Sequence, residues 1–133
     1  MSDLGHWEGI IEEGTDLPYG FIYKITNLTN DKKYIGKKQC QSIRKRPPLK
    51  GKKNKRHETV ETDWKLYTSS SNELNEHIRI LGKGNFKSEI LRWCDSKGEL
   101  SYHEAKLQFE EEVLLKDDYY NGIINLRIGK RRK

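Results

Sequence analysis

Two tyrosines in neighbouring segments of this chain are the residues best suited to chemistry. Tyr23 lies in the segment FIYKIT, and Tyr34 lies in the segment KKYIGKK, which follows after a short polar stretch. A phenol can hydrogen-bond to a water molecule, and lysines beside it attract anions. A long basic segment comes directly afterwards, so the combination indicates chemistry on a phosphate backbone.

Alternating side chains predict that both tyrosines lie on paired β-strands, because β-branched and aromatic residues dominate the two segments. Asn30-Asp31 is the best turn candidate, since short polar side chains tolerate the positive φ of tight hairpins. With that two-residue turn, Tyr23 faces Lys38. Any even-numbered turn places both tyrosines on one face of the sheet together with Lys32 and Lys38, whereas an odd one separates the tyrosines.

The hairpin resembles the signature of the GIY-YIG nuclease superfamily. Ile22-Tyr23 and Tyr34-Ile35-Gly36 match its two tripeptides, and the intervening letters KITN and KK are typical of it. Phe21 replaces the usual first glycine, which Gly20 can represent instead. The alternative explanation is that the tyrosines are present only because aromatic rings pack well on a pleated surface.

Composition agrees with a single domain that has a modest core, because only 33% of the 133 residues are hydrophobic and 35% are charged. No apolar run approaches membrane-spanning length, and the N-terminus lacks the pattern of a signal peptide. We therefore expect no membrane partner and a location inside the cell, in the cytoplasm of a bacterial or phage-infected cell. Cys40 and Cys94 are expected to stay reduced.

The formal charge of +6 is distributed unevenly. Residues 1–18 form an acidic lead-in, no acid occurs between Lys32 and Arg56, and residues 130–133 form a basic tail. Repulsion between like charges, together with Pro and Gly, predicts a loop over about residues 40–60. A polyanion would relieve that repulsion, so DNA, most naturally double-stranded, is the expected partner. The candidate DNA-binding residues are Lys32, Arg44, Arg46, Lys50, Lys52, Lys53, Lys55 and Arg56.

The rest of the chain predicts a helix that Ser71 caps and that Gly82 and Gly84 end, a third strand over 86–93, and a second helix from 101 to about 116. The predicted buried stripe of the second helix consists of Tyr102, Ala105, Phe109 and Val113. Glu110, Glu111 and Glu112 are expected to face solvent. The whole is an α+β domain over 19–129, with a small three-stranded antiparallel sheet flanked by helices.

The resemblance implies a metal-binding glutamate on a helix after the third strand, and Glu104 matches that position. The implied cofactor is one divalent ion, Mg²⁺ or Mn²⁺. Spacing alone also fits a capping box from Ser101 to Glu104, which would be a purely structural role. An asparagine near the active site is implied as well. We choose Asn125, because it is flanked by apolar residues, and keep Asn121, which has the pattern of an ordinary turn, in reserve.

The resemblance fails at one position. Many members carry an arginine on a helix soon after the second tyrosine, and here the Pro- and Lys-rich segment stands in its place. Lys38 is our candidate for this phosphate-binding cation, with Lys32, Arg44 and Arg46 as others. The implied mechanism is metal-dependent hydrolysis. Tyr23 would help to activate the attacking water and Tyr34 would orient it, with nearby lysines favouring the phenolate of Tyr23.

Two alternatives belong to other classes of protein. A non-catalytic nucleic-acid-binding module would use the basic segment and tail without cleaving. A zinc or histidine-dependent site is disfavoured, because the four histidines are scattered, and only His103, beside Glu104, is of interest. We expect no separate recognition domain, so a homodimer partner could contribute to sequence choice. Homing, restriction, repair and recombination roles stay open, with a small standalone phage-type endonuclease preferred by analogy.

Overall fold

The centre of the fold is a three-stranded antiparallel sheet. The computed structural model describes residues 4–11 and 16–124, with the backbone alone at 44–46. β1 (Gly20–Asn27) is the middle strand, between β2 (Lys32–Gln39) and β5 (Phe86–Cys94). Two helices accompany the sheet. The predicted α+β architecture is confirmed, as are the three predicted strands.

The turn between β1 and β2 contains four residues, 28–31, so the predicted two-residue turn is wrong. Buried Asn27 closes this wider turn. Its Oδ1 accepts hydrogen bonds from the Thr29 backbone N–H at 3.0 Å and from the Thr29 hydroxyl at 2.6 Å. Asp31 adopts the positive φ of 60°, as a short polar side chain can. A side-chain hydrogen bond has therefore overridden the tighter turn.

The wider turn changes which residue lies opposite Tyr23. Its partner across the strands is Gly36, and not Lys38 as the shorter turn predicts. Because the turn still has an even number of residues, Tyr34, Lys32 and Lys38 belong to the same face as Tyr23, as predicted.

A second, two-stranded sheet occupies much of residues 40–60, so our prediction of a loop there is wrong. β3 (Gln41–Arg46) pairs antiparallel with β4 (Arg56–Glu61), and residues 47–55 connect them. β-branched residues at 43, 59 and 60 favour extended backbone. The register also places Arg44 opposite Glu58, so the acids that follow the basic run make the pairing favourable. We call residues 41–61 the basic hairpin.

Helix α1 (Asn72–Leu81) begins and ends as predicted. The Ser71 hydroxyl accepts a hydrogen bond from the backbone N–H of Leu74 at 3.2 Å. Gly82 follows with a φ of 87°, a conformation that glycine adopts at little cost.

Helix α2 (Lys97–Glu110) begins earlier than the predicted residue 101. Ser96 is its cap, because the Ser96 hydroxyl accepts from the backbone N–H of Glu99 at 3.2 Å. Ser101 lies inside the helix, so the capping-box explanation of Glu104 is wrong. Glu104 is available for another role.

The buried side of α2 differs partly from the predicted stripe. Ala105 is buried, but Tyr102 and Phe109 are exposed. Val113 is also buried, but it lies beyond the helix, which ends at Glu110 and not at the predicted residue 116. Gln108 takes a buried position because its amide bonds to the edge of the sheet, an interaction that apolar periodicity does not reveal. The three glutamates 110–112 are exposed, as predicted.

Each face of the three-stranded sheet contributes to its own apolar cluster. The cluster that contains Tyr23 consists of Trp7, Phe21, Tyr23, Ile25, Cys40, Trp64, Leu74 and Tyr120. The other consists of Ile22, Ile35, Cys94, Leu100 and Val113. The two cysteines are free and lie in different clusters. Burial raises the pKa of the Cys40 thiol to about 12, so it is an inert core residue.

The N-terminal segment is not a separate lead-in where the structure describes it. Trp7 is buried, and its indole N–H donates to the Trp64 carbonyl at 2.6 Å. Glu8 pairs with β5, donating to Ser88 at 2.8 Å and accepting from Ile90 at 2.8 Å. Residues 4–11 therefore belong to the domain. No helix within the described ranges has the length and apolar character needed to cross a bilayer.

Candidate active site

Tyr23 and Tyr34 lie side by side on one face of the sheet, with ring centroids 6.1 Å apart. Tyr23 is buried and shares a hydrogen bond with the Tyr67 hydroxyl. The Tyr34 hydroxyl bonds to Ser70 Oγ at 3.1 Å. The segment 67–70 therefore holds both phenols in place from above the sheet.

Gly36 makes room for the two rings. A Cβ at this position would lie 2.6 Å from the Tyr23 hydroxyl oxygen and 2.8 Å from Tyr34 Cε2, closer than side chains can approach. The absent side chain therefore explains why a glycine follows Tyr34-Ile35 on this strand.

Replacing Gly36 by alanine should move one or both rings, and we expect a loss of about 1–3 kcal/mol in the free energy of unfolding. Urea denaturation measures it. The matched control is Gly98→Ala in α2, where a Cβ would meet nothing within 4 Å. Unchanged stability and tyrosine environment in Gly36→Ala would contradict the steric explanation.

Glu104, on helix α2, reaches the cavity from the other side of β2. Its carboxylate accepts a hydrogen bond from the Lys37 backbone N–H, and the Lys37 ammonium lies 3.8 Å from Glu104 Oε1. Burial raises the pKa of Glu104, while the Lys37 ammonium and N–H oppose that shift. The carboxylate is 14% exposed, so it is shielded yet still reachable from solvent.

Side chains and backbone from the C-terminal part close the free edge of β2. Lys33 pairs with the segment 118–120, donating to Asp118 at 2.8 Å and accepting from Tyr120 at 2.6 Å. The Asn121 side-chain amide then bonds to the backbone of β2 as a neighbouring strand would. It accepts from the Ile35 N–H at 3.0 Å and donates to the Ile35 carbonyl at 2.8 Å.

The same edge fixes α2 against the sheet. Gln108 Nε2 donates to the Ile35 carbonyl at 2.9 Å, and Glu104, one turn earlier, takes the next outward N–H at Lys37. Gln108 Oε1 is the one fully buried side-chain polar atom without a partner among the described residues. A buried acceptor without a protein partner is a feature that a bound water or ion would satisfy.

These groups line one open cavity of about 320 Å³. Its lining residues are Tyr23, Tyr34, Lys37, Tyr67, Ser70, Glu104, Gln108 and Ile123. A larger cavity, of about 400 Å³, lies along β5 beside the N-terminal segment, but no tyrosine lines it. The smaller cavity is the better candidate because phenols, an ammonium and a carboxylate converge there.

None of the cations predicted to contact the phosphate is among the described residues that line the cavity. Lys38 Nζ pairs with Asp63 at 2.9 Å and sits 4.2 Å from the centre of the Tyr67 ring, next to the cavity but not lining it. Lys32 pairs with Glu73 at 3.0 Å. Of Arg44 and Arg46 only the backbone, on β3, is described.

Asn125 lies outside the described residues, as does the basic tail. Asn121, which the sequence suggested was an ordinary turn residue, is instead buried and bonded to β2. Its role could not be seen from the sequence because the bonds it makes are to a strand 86 residues away.

Five of the eight lining residues were not predicted from the sequence, namely Lys37, Tyr67, Ser70, Gln108 and Ile123, and three of them are the most relevant to chemistry. Lys37 follows the YIG tripeptide directly, and the free edge of β2 is what brings it to Glu104. Tyr67 lies in the segment DWKLYTSSS, where a third tyrosine beside serines was the available signal. Gln108 stands four residues after Glu104, a spacing that places both on one helix face.

The histidines do not form a second site. His103 does not line the cavity, and its pKa is lowered by burial and by Arg92. Within 4–11 and 16–124, no group of three or more His, Cys, Asp or Glu side chains is arranged to hold a metal ion.

Comparison with known proteins decides between the possible families. A family model described as "Putative endonuclease segE, GIY-YIG domain" matches residues 7–124. The chain belongs to the GIY-YIG endonuclease family. The match begins at Trp7, in agreement with the packing of the N-terminal segment.

One curated protein within this GIY-YIG family is similar to the chain. It is described as "Putative endonuclease segE" of Enterobacteria phage T4, and it is 26% identical over 103 residues. The match covers 77% of this chain and 40% of that protein, so the chain spans about two fifths of the relative's length. No solved structure matches the chain.

Proposed function

We propose that this protein is an endonuclease that hydrolyses phosphodiester bonds in double-stranded DNA with the help of one divalent ion, Mg²⁺ or Mn²⁺. Family membership supports the reaction type. The convergence of Tyr23, Tyr34, Lys37 and Glu104 in one solvent-reachable cavity is the single observation that carries the proposal.

Glu104 is the residue that would hold the ion. It supplies the one carboxylate among the described residues that line the cavity, and Gln108, whose Oε1 has no partner, also lines it. Carboxylate and amide oxygens are the ligands that Mg²⁺ and Mn²⁺ prefer, so the residues present fit the ion. When bound, such an ion offsets the negative charge that develops on the phosphate and the leaving oxygen.

Tyr23 would act as a neutral phenol. Burial raises its pKa well above 10, and Tyr34, Tyr67 and Glu104 raise it further. The lysines expected to favour a phenolate pair instead with Glu73 and Asp63. We therefore assign Tyr23 the task of hydrogen-bonding and aligning the attacking water, with Tyr34 orienting that water or the phosphate.

Lys37 is the cation best placed to contact the scissile phosphate, because it is the one cationic residue in the cavity lining that the structure describes. It also bonds to Ser101 Oγ at 3.0 Å, which fixes its position. A contact between Lys38 and a phosphate next to the scissile one stays a prediction. Asn121 would keep the β2 edge in register for Glu104, while Asn125 stays a prediction as the family asparagine.

Plasmid nicking tests the proposal against a non-catalytic binding module. Supercoiled DNA incubated with the protein and Mg²⁺ or Mn²⁺ should be nicked or linearised, and a chelator should stop it. Binding without cleavage under every divalent ion would favour the binding module. The number of protein chains per cleaved duplex would test the predicted homodimer, and mapping the cut sites would address homing, restriction or repair roles.

Replacing Lys37 by alanine should raise the pKa of Glu104 further, because the ammonium that favours its charged form is lost. Only the ionised carboxylate holds a cation, so Mn²⁺ binding should fail at a higher pH than in the unchanged protein. Isothermal titration across a pH series measures this. The control is Lys106→Ala on the exposed part of α2. If Lys37→Ala loses Mn²⁺ binding at the same acidic pH as the unchanged protein, Lys37 does not influence the ionisation of Glu104.

A further inference from the structure

The basic hairpin stands apart from the rest of the fold. Within the part of the chain that the structure describes, β3 and β4 pair only with each other and form a sheet of their own. Every described side chain from Pro47 to Thr59 is exposed. A two-stranded ribbon with no layer covering it is marginally stable and adds little to the core. Its exposed surface is therefore available to a partner.

Charge along the hairpin increases toward its tip. The exposed cations of the connection and of the start of β4 are Lys50, Lys52, Lys53, Lys55 and Arg56. The hairpin has two acids: Glu61 lies at its base, where it pairs with Gln41 at the first position of β3, and Glu58 lies in the middle of the stem, opposite Arg44. A cationic tip on a less basic stem suits insertion toward a polyanion.

The dimensions of the ribbon fit one groove of duplex DNA. Each strand has six residues, which at about 3.3 Å per residue gives a length of roughly 20 Å. The major groove of B-DNA is about 12 Å wide and admits a two-stranded β-ribbon, whereas the minor groove, about 6 Å wide, would first have to be widened.

One face of the ribbon is chemically suited to base edges. Ile43 and Thr59 lie opposite each other, and Ile43 is 71% exposed. The register places His57 on the same face. Methyl groups contact the thymine methyl in the major groove, and a hydroxyl or imidazole can bond to base acceptors and donors. The opposite face includes Val60, which is half-buried and turned toward the protein.

We propose that the basic hairpin is a DNA-reading ribbon. It enters the major groove with Ile43 and Thr59 facing the base edges, and the lysines of its tip contact the flanking phosphates. The ribbon then supplies affinity and sequence preference at a distance from the cleavage cavity. This inference rests on DNA being the substrate, as proposed above.

The phosphate contacts are tested by binding across a salt series. The full chain carrying Glu104→Gln, which prevents cleavage, is titrated against a labelled duplex by fluorescence anisotropy. Changing Lys50, Lys52, Lys53 and Lys55 together to Gln should lower the magnitude of the slope of log K against log salt by about 3.6, since each phosphate contact contributes about 0.9. The control changes four exposed lysines elsewhere, Lys83, Lys87, Lys97 and Lys106, to Gln. Equal slopes in the two quadruple variants would overturn the tip assignment.

The groove and the reading face are tested separately. Bulky substituents at C5 of the pyrimidines, which fill the major groove, should weaken binding about tenfold or more, and a minor-groove ligand should not. Selection from a random duplex library should show a thymine preference that Ile43→Ser reduces about tenfold. Ile80→Ser, at an isoleucine that is 62% exposed on α1, should leave it unchanged. Competition by the minor-groove ligand, or identical preferences in both variants, would refute the ribbon.

Binding and cleavage failures are distinguishable in this design, because binding is measured on chains that carry Glu104→Gln and cleavage is measured on the same hairpin variants with Glu104 in place. Ribbon-dependent binding by a protein that never cuts DNA would overturn the endonuclease proposal alone. Cleavage that persists with unchanged site choice and salt response in the hairpin variants would overturn the ribbon alone. Circular dichroism and urea denaturation establish that each variant is folded.

Discussion

Glu104→Gln is expected to abolish DNA cleavage while leaving the fold and DNA binding intact. The amide keeps the size of the side chain and can still accept the Lys37 N–H, but it cannot offer a charged oxygen to a cation. Because burial already disfavours the charged form, removing the charge should not lower the free energy of unfolding. Loss of a direct metal ligand should reduce the cleavage rate at least about 100-fold, more than loss of an outer hydrogen bond.

Glu110→Gln provides the matched control for this change. Glu110 is exposed at the end of α2, 3.7 Å from Lys106, and its replacement removes the same charge. Mn²⁺ titration without DNA adds a second measurement, in which Glu104→Gln should lose binding and Gln108→Leu should weaken it. Cleavage by Glu104→Gln within about threefold of the unchanged protein would mean that this carboxylate is not a ligand.

Tyr23→Phe is expected to reduce the cleavage rate roughly 10²-fold, in the range found for groups that assist proton transfer or align water. The ring still fills its place between Trp7, Phe21 and Tyr34. Only the hydroxyl and its bond to Tyr67 are lost, so the cost in unfolding free energy should be about 1 kcal/mol. Initial rates of plasmid nicking and urea denaturation measure the two effects.

The pH profile separates two roles for this hydroxyl. A phenol whose pKa is raised above 10 stays protonated between about pH 7 and 9, so the rate should not rise over that interval through ionisation of Tyr23. A rise that disappears in Tyr23→Phe would instead identify a phenolate base. Tyr102→Phe, at an exposed tyrosine of α2, should cleave at the unchanged rate.

The local patterns of this chain were sufficient for most of the architecture. Alternation predicted the three strands of the main sheet, and Ser71 and Gly82 predicted the limits of α1, because these signals depend on neighbours within a few residues. The parity of the β1–β2 turn was enough to place Tyr23 and Tyr34 on one face, although its length was wrong. Whether the number of turn residues is even follows from the alternation of side chains along the two strands. The length of the turn depended instead on the buried side chain of Asn27.

The prediction for the basic hairpin was wrong because it was based on the charge of the segment alone. Counting cations predicted an unstructured loop over residues 40–60, yet β3 and β4 form across it. Repulsion along one strand is offset by residues of the other, and Glu58 and Glu61 come after the run in which no acid occurs. The pairing partner of a strand is a non-local fact that composition of the segment itself does not contain.

The sequence by itself determined the family and supplied the candidate catalytic residue types in their order, because two tyrosines on one face of a hairpin and a glutamate after the third strand are local motifs. Only the tertiary structure decided which cation, amide and third tyrosine join them. Lys37, Gln108 and Tyr67 reach the cavity because α2 and the segment 67–70 meet the free edge and the upper face of β2. Such contacts join residues far apart in the chain, and backbone hydrogen bonds at that edge set their geometry.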